Sequence, residues 1–227
     1  MNHPVTDTHL FYIFLALLLS YLTGSFPSAE IAGRRHETNI REQGSGNPGT
    51  FNVLRLLGWK SAIAVFAADT VKGCLPVVIY AKPLFGFYET DIALTLQILI
   101  GSIAILGHCY PLFGAKTGGK GVTTLGGVLL GVYPAVLPFC ITVFAVSVIK
   151  TRYASLGSIL ASASLPIFLL LLPSFWSLQE PSLPLLVFSL LIPWFIIFTH
   201  RSNIVHIRNG TENKVNTADI LKKKGAD

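Results

Sequence analysis

The sequence predicts an all-α, polytopic integral membrane protein with about seven transmembrane helices, and two observations carry this prediction. Of the 227 residues, 52% are hydrophobic and only 12% are charged, whereas soluble domains contain about 25% charged residues. Several apolar runs also reach the roughly 18 residues that a helix needs to cross a bilayer. A soluble fold of this size is therefore excluded, because too little polar sequence is available to cover its surface.

The positions of lysine and arginine predict the orientation of the chain. The tail up to His9 contains neither residue, whereas the loop 33–60 and the segment after residue 200 are rich in both. Basic loops remain on the cytosolic side, so we expect the N-terminus outside and the C-terminus in the cytosol. The predicted spans are 9–32, 61–81, 92–112, two short helices within 122–149, 153–172 and 183–199.

The run 122–149 is predicted to form a hairpin of two short helices. It is flanked by Lys120 and by Lys150, so both of its ends should be cytosolic. At about 1.5 Å per residue it is also too long for one span. Tyr133 and Pro134 lie near its middle, where a proline favours a break.

We expect one membrane-embedded domain over residues 1–227, with a polar cytosolic tail from about residue 201. No lysine or arginine precedes Arg34, so the first apolar run is interpreted as a retained span and not as a signal peptide.

The net charge of +6 has three possible origins: basic cytosolic loops, contact with anionic lipid headgroups, or binding of an anionic substrate. The three cysteines form no C-x-x-C pair, so no metal site is expected.

The first polar cluster is a glycine-rich loop in the segment assigned to the cytosol. Glycines allow positive φ and close approach to a ligand, and successive amides can then surround an anion. The serine hydroxyl can donate a hydrogen bond, the asparagines can shape the loop or bind ligand oxygens, and the arginine can hold a phosphate. An ordinary turn-rich loop is the alternative. The candidate residues are Gly44, Ser45, Gly46, Asn47, Gly49, Asn52 and Arg55.

The second cluster resembles a Walker A loop without matching it. Gly114, Gly119 and Lys120 fit the spacing, but Gly121 stands where serine or threonine should bind the metal, so nucleotide hydrolysis is not expected. A glycine-rich turn with a lysine before a helix still suits a phosphate. His108 is either a general base or a helix-end histidine bonded to the backbone. The candidates are His108, Gly118, Gly119, Lys120 and Gly121.

Two further clusters contain polar side chains three residues apart, which places each pair on one helix face. Ser155 and Ser158 form one pair, for which the alternative is an interfacial anchor with helix-packing serines. His200 and Asn203 form the other, for which the alternative is a polar turn that ends a helix. Since both clusters are also assigned to the cytosolic side, four clusters are predicted at one face of the membrane.

Asp69 and Lys72 lie inside a predicted span and are also three residues apart. Charges within a membrane are costly unless they are paired. We therefore expect the two side chains to pair, to face the bundle interior and to have a structural role.

Together these strings resemble the bacterial acyl-phosphate:glycerol-3-phosphate acyltransferases, the PlsY family, over roughly residues 20–215. Each sequence segment by itself is a weak signal, whereas the order and spacing of all the segments together are specific to this family. They are 24–28, 41–55, 69–73, 107–124, 152–156 and 200–212.

The resemblance implies seven membrane helices and the transfer of an acyl group from acyl phosphate to the 1-hydroxyl of sn-glycerol 3-phosphate. The products would be lysophosphatidic acid and phosphate, in phospholipid biosynthesis at a bacterial cytoplasmic (inner) membrane, with the active site facing the cytosol. It implies membrane lipid as a partner and no cofactor, metal or nucleic acid, and we expect a monomer. The catalytic positions carried over are Ser45, Arg55, Lys120, Ser158, His200 and Asn203.

The chain departs from the family pattern at three places. Thr50 and Phe51 stand where alanine and threonine are usual, Thr117 replaces a common glycine, and Thr123 replaces a common alanine. These changes keep the charged groups, so we expect them to affect loop geometry and substrate preference.

Two questions about the chemistry stay open at the level of sequence. The family proposal is that a substrate phosphate oxygen accepts the hydroxyl proton, with His200 as the alternative base. A transporter of organic phosphates is the competing function, and it predicts binding groups near the bilayer midplane. A non-catalytic scaffold predicts no such clustering of polar and glycine residues. Grouping at one face favours an interfacial enzyme.

Overall fold

The computed structural model describes residues 7–85, 90–113, 117–176 and 180–215, and every regular element in these ranges is helical. Two irregular helical turns occur, a π-type turn at Pro76–Ala81 and a 3₁₀ turn at Pro134–Val136. The α-helices are α1 (Asp7–Gly24), α2 (Ser28–Arg35), α3 (Thr50–Leu57), α4 (Trp59–Leu75), α5 (Lys82–Phe85), α6 (Thr90–Cys109), α7 (Val122–Val132), α8 (Leu137–Thr151), α9 (Ala154–Trp176), α10 (Leu183–Thr199) and α11 (Arg201–Arg208).

Five helical stretches of the described chain are long and apolar enough to cross a membrane. A sixth results if α10 and α11, which are bent by 61°, are counted as one span, and α7 is a shorter apolar helix. The all-α prediction is therefore confirmed for the described residues. The five stretches are Asp7–Arg35, Trp59–Phe85, Asp91–Cys109, Pro134–Thr151 and Ala154–Phe175.

The elements near the polar loops differ most from prediction. The first apolar run is broken between α1 and α2, because a residue before a proline avoids the helical region and Phe26 precedes Pro27. Helices α3 and α11, of eight residues each, were not predicted. Such short helices depend on tertiary packing for most of their stability. Indeed Val53 of α3 belongs to one buried cluster with Ala29 of α2 and Val65 of α4, and all three are nearly fully buried.

The predicted break at Tyr133 and Pro134 is present, but the two helices beside it do not pack together as a hairpin. Helix α7 packs along α4, whereas α8 packs along α9. A side chain at Gly73 would collide with the carbonyl group of Thr124, and one at Gly127 with that of Thr70. Glycine thus lets α4 and α7 approach closely. Because α7 is held by α4 and α8 by α9, the two helices diverge and leave a cavity between them.

The intramembrane charges pair as predicted. Lys72 Nζ lies 2.8 Å from Asp69 Oδ1, and both side chains are buried. Ser28 Oγ donates to the same carboxylate oxygen at 2.5 Å, and Lys72 Nζ donates to the carbonyl oxygen of Phe26 at 3.0 Å. The pair therefore connects α4 to the break between α1 and α2, where a carbonyl group has left the regular helical pattern.

Candidate active site

One cavity of about 390 Å³ joins the polar clusters to the apolar interior. Its walls come from α3, α4, α7, α8 and α9, and from the junction of α10 with α11. Most of the predicted site residues line it, although they come from four separate parts of the chain. Those residues are Ser45, Asn47, Gly49, Asn52, Arg55, His108, Lys120, Gly121, Ser158, His200 and Asn203. The predicted residues Gly44, Gly46, Gly118 and Gly119 lie outside its lining.

In the first loop, Asn52 shapes the backbone. Its side chain is buried, accepts the Ser45 N–H at 2.8 Å and donates to the carbonyl oxygens of Ile40 at 2.9 Å and Gln43 at 3.1 Å. All these bonds are internal, so the structure favours loop shaping over ligand binding for this asparagine. Gly44 and Gly46 have φ of 63° and 67°, as predicted for a tight loop.

Gly49 differs from those two glycines, because its φ of −130° is an extended conformation that any residue can adopt. Thr50 begins α3 beside it, and its buried Oγ1 has no hydrogen-bond partner among the described residues. Thr50 also lines the cavity, although its Oγ1 atom is itself fully buried. In the sequence Thr50 is distinguished only as a departure from the family pattern, where alanine is usual, and no pattern indicates an unpartnered hydroxyl.

Arg41 connects the first loop to the second. Its guanidinium pairs with Glu30 and donates from Nη1 to the carbonyl oxygen of Thr117 at 2.6 Å. The arginine therefore acts within the protein to hold two loops together. Arg55, one turn into α3, lines the cavity and is half-buried, with Nη2 3.5 Å from the carbonyl oxygen of Lys214. Its guanidinium can therefore bind an anion in the cavity.

In the second loop, the glycine amides do not surround an anion as predicted. The N–H of Gly118 donates to the carbonyl oxygen of Cys109 at 2.7 Å, and that of Gly119 to that of His108 at 3.2 Å. Both amides are thus used by the C-terminal end of α6, whose last carbonyl groups need partners. The Walker-like Gly114 lies outside the described residues.

The helix that follows this loop supplies other amides. Gly121, with φ of 85°, precedes α7, and the first backbone bond of that helix runs from the Leu125 N–H to the Gly121 carbonyl oxygen at 2.8 Å. The amides of the first turn before Leu125 have no partner within the helix. Amides of this kind, beside a lysine such as Lys120, are groups that can bind an anion at a helix N-terminus.

His108 lies between the buried ion pair and the second loop. Its Nδ1 is 3.9 Å from Asp69 Oδ1, and a side chain at Gly119 would collide with its ring. Gly119 is therefore required for the loop to lie against the imidazole. Neither the general-base interpretation of His108 nor the helix-end interpretation included Asp69. The two residues are distant in sequence, and only the tertiary structure places them close together.

Lys120, Asn203, Glu212 and Ser155 form one chain of contacts. Lys120 Nζ donates to Asn203 Oδ1, Asn203 Nδ2 donates to Glu212 Oε1 at 2.8 Å, and Ser155 Oγ donates to that same carboxylate oxygen at 2.6 Å. The start of α7 and the start of α9 therefore lie at the same end of the bundle. Ser158 is buried near Ser155, and its Oγ donates to the carbonyl oxygen of Ala154 at 2.9 Å.

Glu212 is the main site residue that the sequence analysis did not assign. It lines the cavity and connects Asn203 to Ser155. Its isolated negative charge within a basic segment is the signal that could have identified it.

Burial and charge set the protonation of two groups at the polar end. Burial lowers the pKa of Lys120 below its ordinary value, and the Glu212 carboxylate opposes that change. Burial, assisted by the positive charge of Lys120, lowers the pKa of His200 to about 4. His200 Nδ1 lies 2.8 Å from the carbonyl oxygen of Ile196, so the neutral ring carries its proton on Nδ1 and its lone pair on Nε2.

The other end of the cavity is apolar. Its wall consists of side chains from α7, α8 and α9, with Leu125, Leu129, Leu137, Cys140, Phe144, Ala161 and Leu165 among them. A single cavity thus offers cations and amides at one end and hydrocarbon at the other. This arrangement suits a molecule that has an anionic head and an acyl chain.

Comparison with known proteins agrees with this geometry. The family model for glycerol-3-phosphate acyltransferase matches residues 14–210. The glycerol-3-phosphate acyltransferase of Chlorobaculum parvum is 37% identical, and the match covers 89% of this chain and 96% of that protein. The protein of the same name from Geobacter sulfurreducens is 39% identical, with 86% and 94% covered.

Solved structures of PlsY, an integral membrane glycerol 3-phosphate acyltransferase, are also similar. Its glycerol 3-phosphate form has a TM-score of 0.79 at 34% identity, covering 96% of this chain and 100% of that chain. Its lysophosphatidic acid form has a TM-score of 0.76 at 33% identity, covering 95% and 99%. Sequence and fold thus agree over nearly the whole length, and the chain belongs to the PlsY family of glycerol-3-phosphate acyltransferases.

Proposed function

We propose that this protein transfers an acyl group from acyl phosphate to the 1-hydroxyl of sn-glycerol 3-phosphate, releasing lysophosphatidic acid and phosphate. The observation that carries the proposal is the single cavity with Lys120 and Arg55 at its polar end and hydrocarbon at its apolar end. A donor with an acyl chain and a phosphate requires both ends. The related PlsY was crystallised in glycerol 3-phosphate and lysophosphatidic acid forms, which supports the same acceptor and product here.

In this mechanism the protein mainly positions two phosphates. Lys120 and the first amides of α7 hold one phosphate, and Arg55 with the Ser45 hydroxyl holds the other at the mouth of the cavity. The acceptor oxygen attacks the carbonyl carbon of the mixed anhydride, the bond from that carbon to the phosphate oxygen breaks, and phosphate leaves. Alignment of this kind lowers the barrier by several kcal/mol, and the fixed positive groups stabilise the developing oxyanion.

The hydroxyl proton passes to a phosphate oxygen of a substrate, with His200 as the alternative acceptor. Neutral His200 has the lone pair on Nε2 that a base needs. The chemistry requires no metal, since acyl phosphate is already activated and phosphate is a good leaving group. Ser158 and Asn203 line the same end of the cavity, where they would position the reacting groups.

An assay of the purified protein tests this function. The protein is incubated with acyl phosphate and labelled glycerol 3-phosphate, and labelled lysophosphatidic acid is measured. Acyl-CoA and acyl carrier protein replace acyl phosphate in parallel reactions, in preparations free of acyl-phosphate-forming enzymes. We expect product only with acyl phosphate, and comparable turnover with acyl-CoA would show that the donor is wrong.

We also propose one domain with seven membrane helices, the N-terminus outside, the C-terminus in the cytosol and the active site at the cytosolic face of a bacterial inner membrane. The protein would act as a monomer. Support comes from the candidate groups, which lie at helix ends: Lys120 precedes α7, Ser155 lies in the first turn of α9, and His200 follows α10. A transporter would place such groups near the bilayer midplane.

Cysteine labelling in intact cells tests the topology. Single cysteines at the exposed positions Asp7, Glu37 and Lys150 are treated with a membrane-impermeant maleimide. We expect the cysteine at position 7 to react in intact cells and the other two to react only after lysis, because positive loops stay inside. Reaction of all three positions from the same side would exclude the seven-helix arrangement.

Glu212→Ala is expected to reduce kcat/KM by about tenfold to a hundredfold. The Glu212 carboxylate accepts hydrogen bonds from Ser155 and Asn203, and alanine cannot replace it. Hydrogen bonds to a charged group contribute more than those between neutral groups. Asn203 would then hold Lys120 less firmly. Steady-state assays of the purified variant measure the effect, with Glu42→Ala, an exposed loop carboxylate, as the control. Equal activity of both variants would show that the contact chain does not position Lys120.

The buried His200 should make the protein less stable as pH falls. Its pKa is lowered to about 4 in the folded protein and is about 6.5 in an unfolded chain. Between these values the unfolded state binds a proton that the folded state excludes, so the free energy of unfolding decreases from pH 6.5 toward pH 4. Unfolding in detergent at pH 7 and pH 5 measures this decrease, which should be smaller in His200→Gln. Identical pH dependence in both proteins would contradict the assignment.

A further inference from the structure

The chain reverses its direction directly after α11. Gly210, with φ of 69°, donates its N–H to the carbonyl oxygen of Ile207 at 3.1 Å, and the N–H of Thr211 donates to that of His206 at 2.8 Å. This pair of bonds is the Schellman arrangement, in which a residue with positive φ ends a helix. The residues that follow the turn, 211–215, are here called the C-terminal strap.

The C-terminal strap is held at two points near the junction of α8 with α9. Glu212 accepts a hydrogen bond from Ser155, in the first turn of α9, at 2.6 Å. The N–H of Val215 donates to the carbonyl oxygen of Arg152, which lies between the two helices, at 2.8 Å. The two residues between these points therefore have a defined position relative to the cavity.

Asn213 is one of these two residues, and it lines the cavity. It is also exposed, so it lies where the polar end of the cavity meets the solvent. The carbonyl oxygen of the next residue, Lys214, accepts from Arg55 Nη2 at 3.5 Å. Among the described residues, no hydrogen bond uses the amide group of Asn213, which offers both a donor and an acceptor. The strap thus brings an unused polar group close to Arg55.

Of the two substrates in the proposed reaction, glycerol 3-phosphate suits this position better. The acyl donor has to place its hydrocarbon chain at the apolar end of the cavity, among the side chains of α7, α8 and α9. Glycerol 3-phosphate has no such chain and enters from the solvent. Its hydroxyl groups and its phosphate are groups to which a side-chain amide can form hydrogen bonds.

We propose that the C-terminal strap forms part of the acceptor site and that Asn213 binds glycerol 3-phosphate, with its side-chain N–H donating to the phosphate beside Arg55. The segments of family resemblance end at residue 212, and the sequence analysis gave Asn213 no role. The inference rests on the proposed function, because it assumes that glycerol 3-phosphate is the acceptor.

The test combines two measurements on purified Asn213→Ala and Asn213→Asp: equilibrium binding of labelled glycerol 3-phosphate without donor, and KM for each substrate. Alanine removes the donor, so Kd and KM for glycerol 3-phosphate should rise about threefold to tenfold. Aspartate keeps the shape but places a negative charge beside the phosphate, so the rise should reach about tenfold to a hundredfold. In both variants kcat and KM for acyl phosphate should change less than about twofold.

Asn209→Asp is the matched control. It makes the same change of charge at an exposed residue four positions earlier, and Asn209 lies outside the lining of the cavity. We expect this variant to bind glycerol 3-phosphate as the wild type does. An equal loss of affinity in Asn209→Asp and Asn213→Asp would overturn the inference, because general repulsion of an anion would then explain both.

The outcomes separate this inference from the proposed function. If the wild type forms no lysophosphatidic acid from acyl phosphate, the proposed function fails. If the wild type is active but both Asn213 variants bind glycerol 3-phosphate with unchanged affinity, the role of Asn213 is overturned. Equal rises of KM for both substrates would also overturn it, because they would indicate a displaced strap and not the loss of one contact to the acceptor.

Discussion

Replacing Lys120 with alanine is expected to lower kcat/KM by about tenfold to a few hundredfold, because a charge-assisted hydrogen bond contributes about 1.5–3 kcal/mol. Lys120 lies two residues before α7, and its ammonium donates a hydrogen bond to Asn203 Oδ1. The carbonyl oxygen of Lys120 also accepts from Thr199 Oγ1 at 3.1 Å, a contact that the substitution leaves in place. The variant should therefore fold and insert normally.

Lys150→Ala is the matched control for this experiment. Lys150 lies in the last turn of α8, is exposed and is predicted at the same side of the membrane. Equal losses in both variants would mean that general electrostatic attraction explains the basic loops. Lys120→Arg sharpens the comparison, since a site shaped for a compact ammonium should not accept a planar guanidinium without cost. Full activity of Lys120→Arg would indicate a loosely held surface charge.

Asp69→Ala is expected to lower the free energy of unfolding by about 3–5 kcal/mol, because breaking a buried ion pair leaves an uncompensated charge. Lys72 would lose its partner at 2.8 Å, and Ser28 would lose the acceptor of its 2.5 Å hydrogen bond. Stability is measured by unfolding in mixed detergent micelles, with retention of helicity as the signal.

Removing both charges should cost less than removing one. In Asp69→Asn/Lys72→Met the isosteric amide can still accept from Ser28, and no unpaired charge remains in the interior. We therefore expect the double variant to be more stable than Asp69→Ala. A double variant that unfolds as readily as Asp69→Ala would mean that shape, and not charge pairing, accounts for the role of Asp69.

The run 122–149 shows most clearly which structural features the local sequence can predict. The position of its break followed from Tyr133 and Pro134, because a proline removes a backbone donor and clashes within a helix. The packing partners of its two helices could not be predicted from the local sequence. Gly73 and Gly127 bring α7 against α4, and neighbours of this kind depend on residues that are distant in sequence.

At the candidate site, the second loop shows the same contrast between what the local sequence predicts and what the fold decides. Its glycines and lysine predicted an anion site, and Lys120 does line the cavity. The amides of Gly118 and Gly119 are instead bonded to the end of α6, because the last carbonyl groups of a helix need donors. Which amides remain free is decided by what the loop folds onto, and the spacing of its glycines carries no information about that.

The sequence alone determined that this protein is helical, where its apolar helices lie and which polar segments carry its candidate chemistry. These properties depend on local composition, since apolar segments in lipid must satisfy their backbone groups within the same helix. Only the tertiary structure decided that Glu212 joins Asn203 to Ser155, that Asn52 is used inside its loop and that Phe51 meets Phe144. The physical reason is sequence separation: Lys120 and Asn203 are 83 residues apart, and no local pattern encodes a contact over that distance.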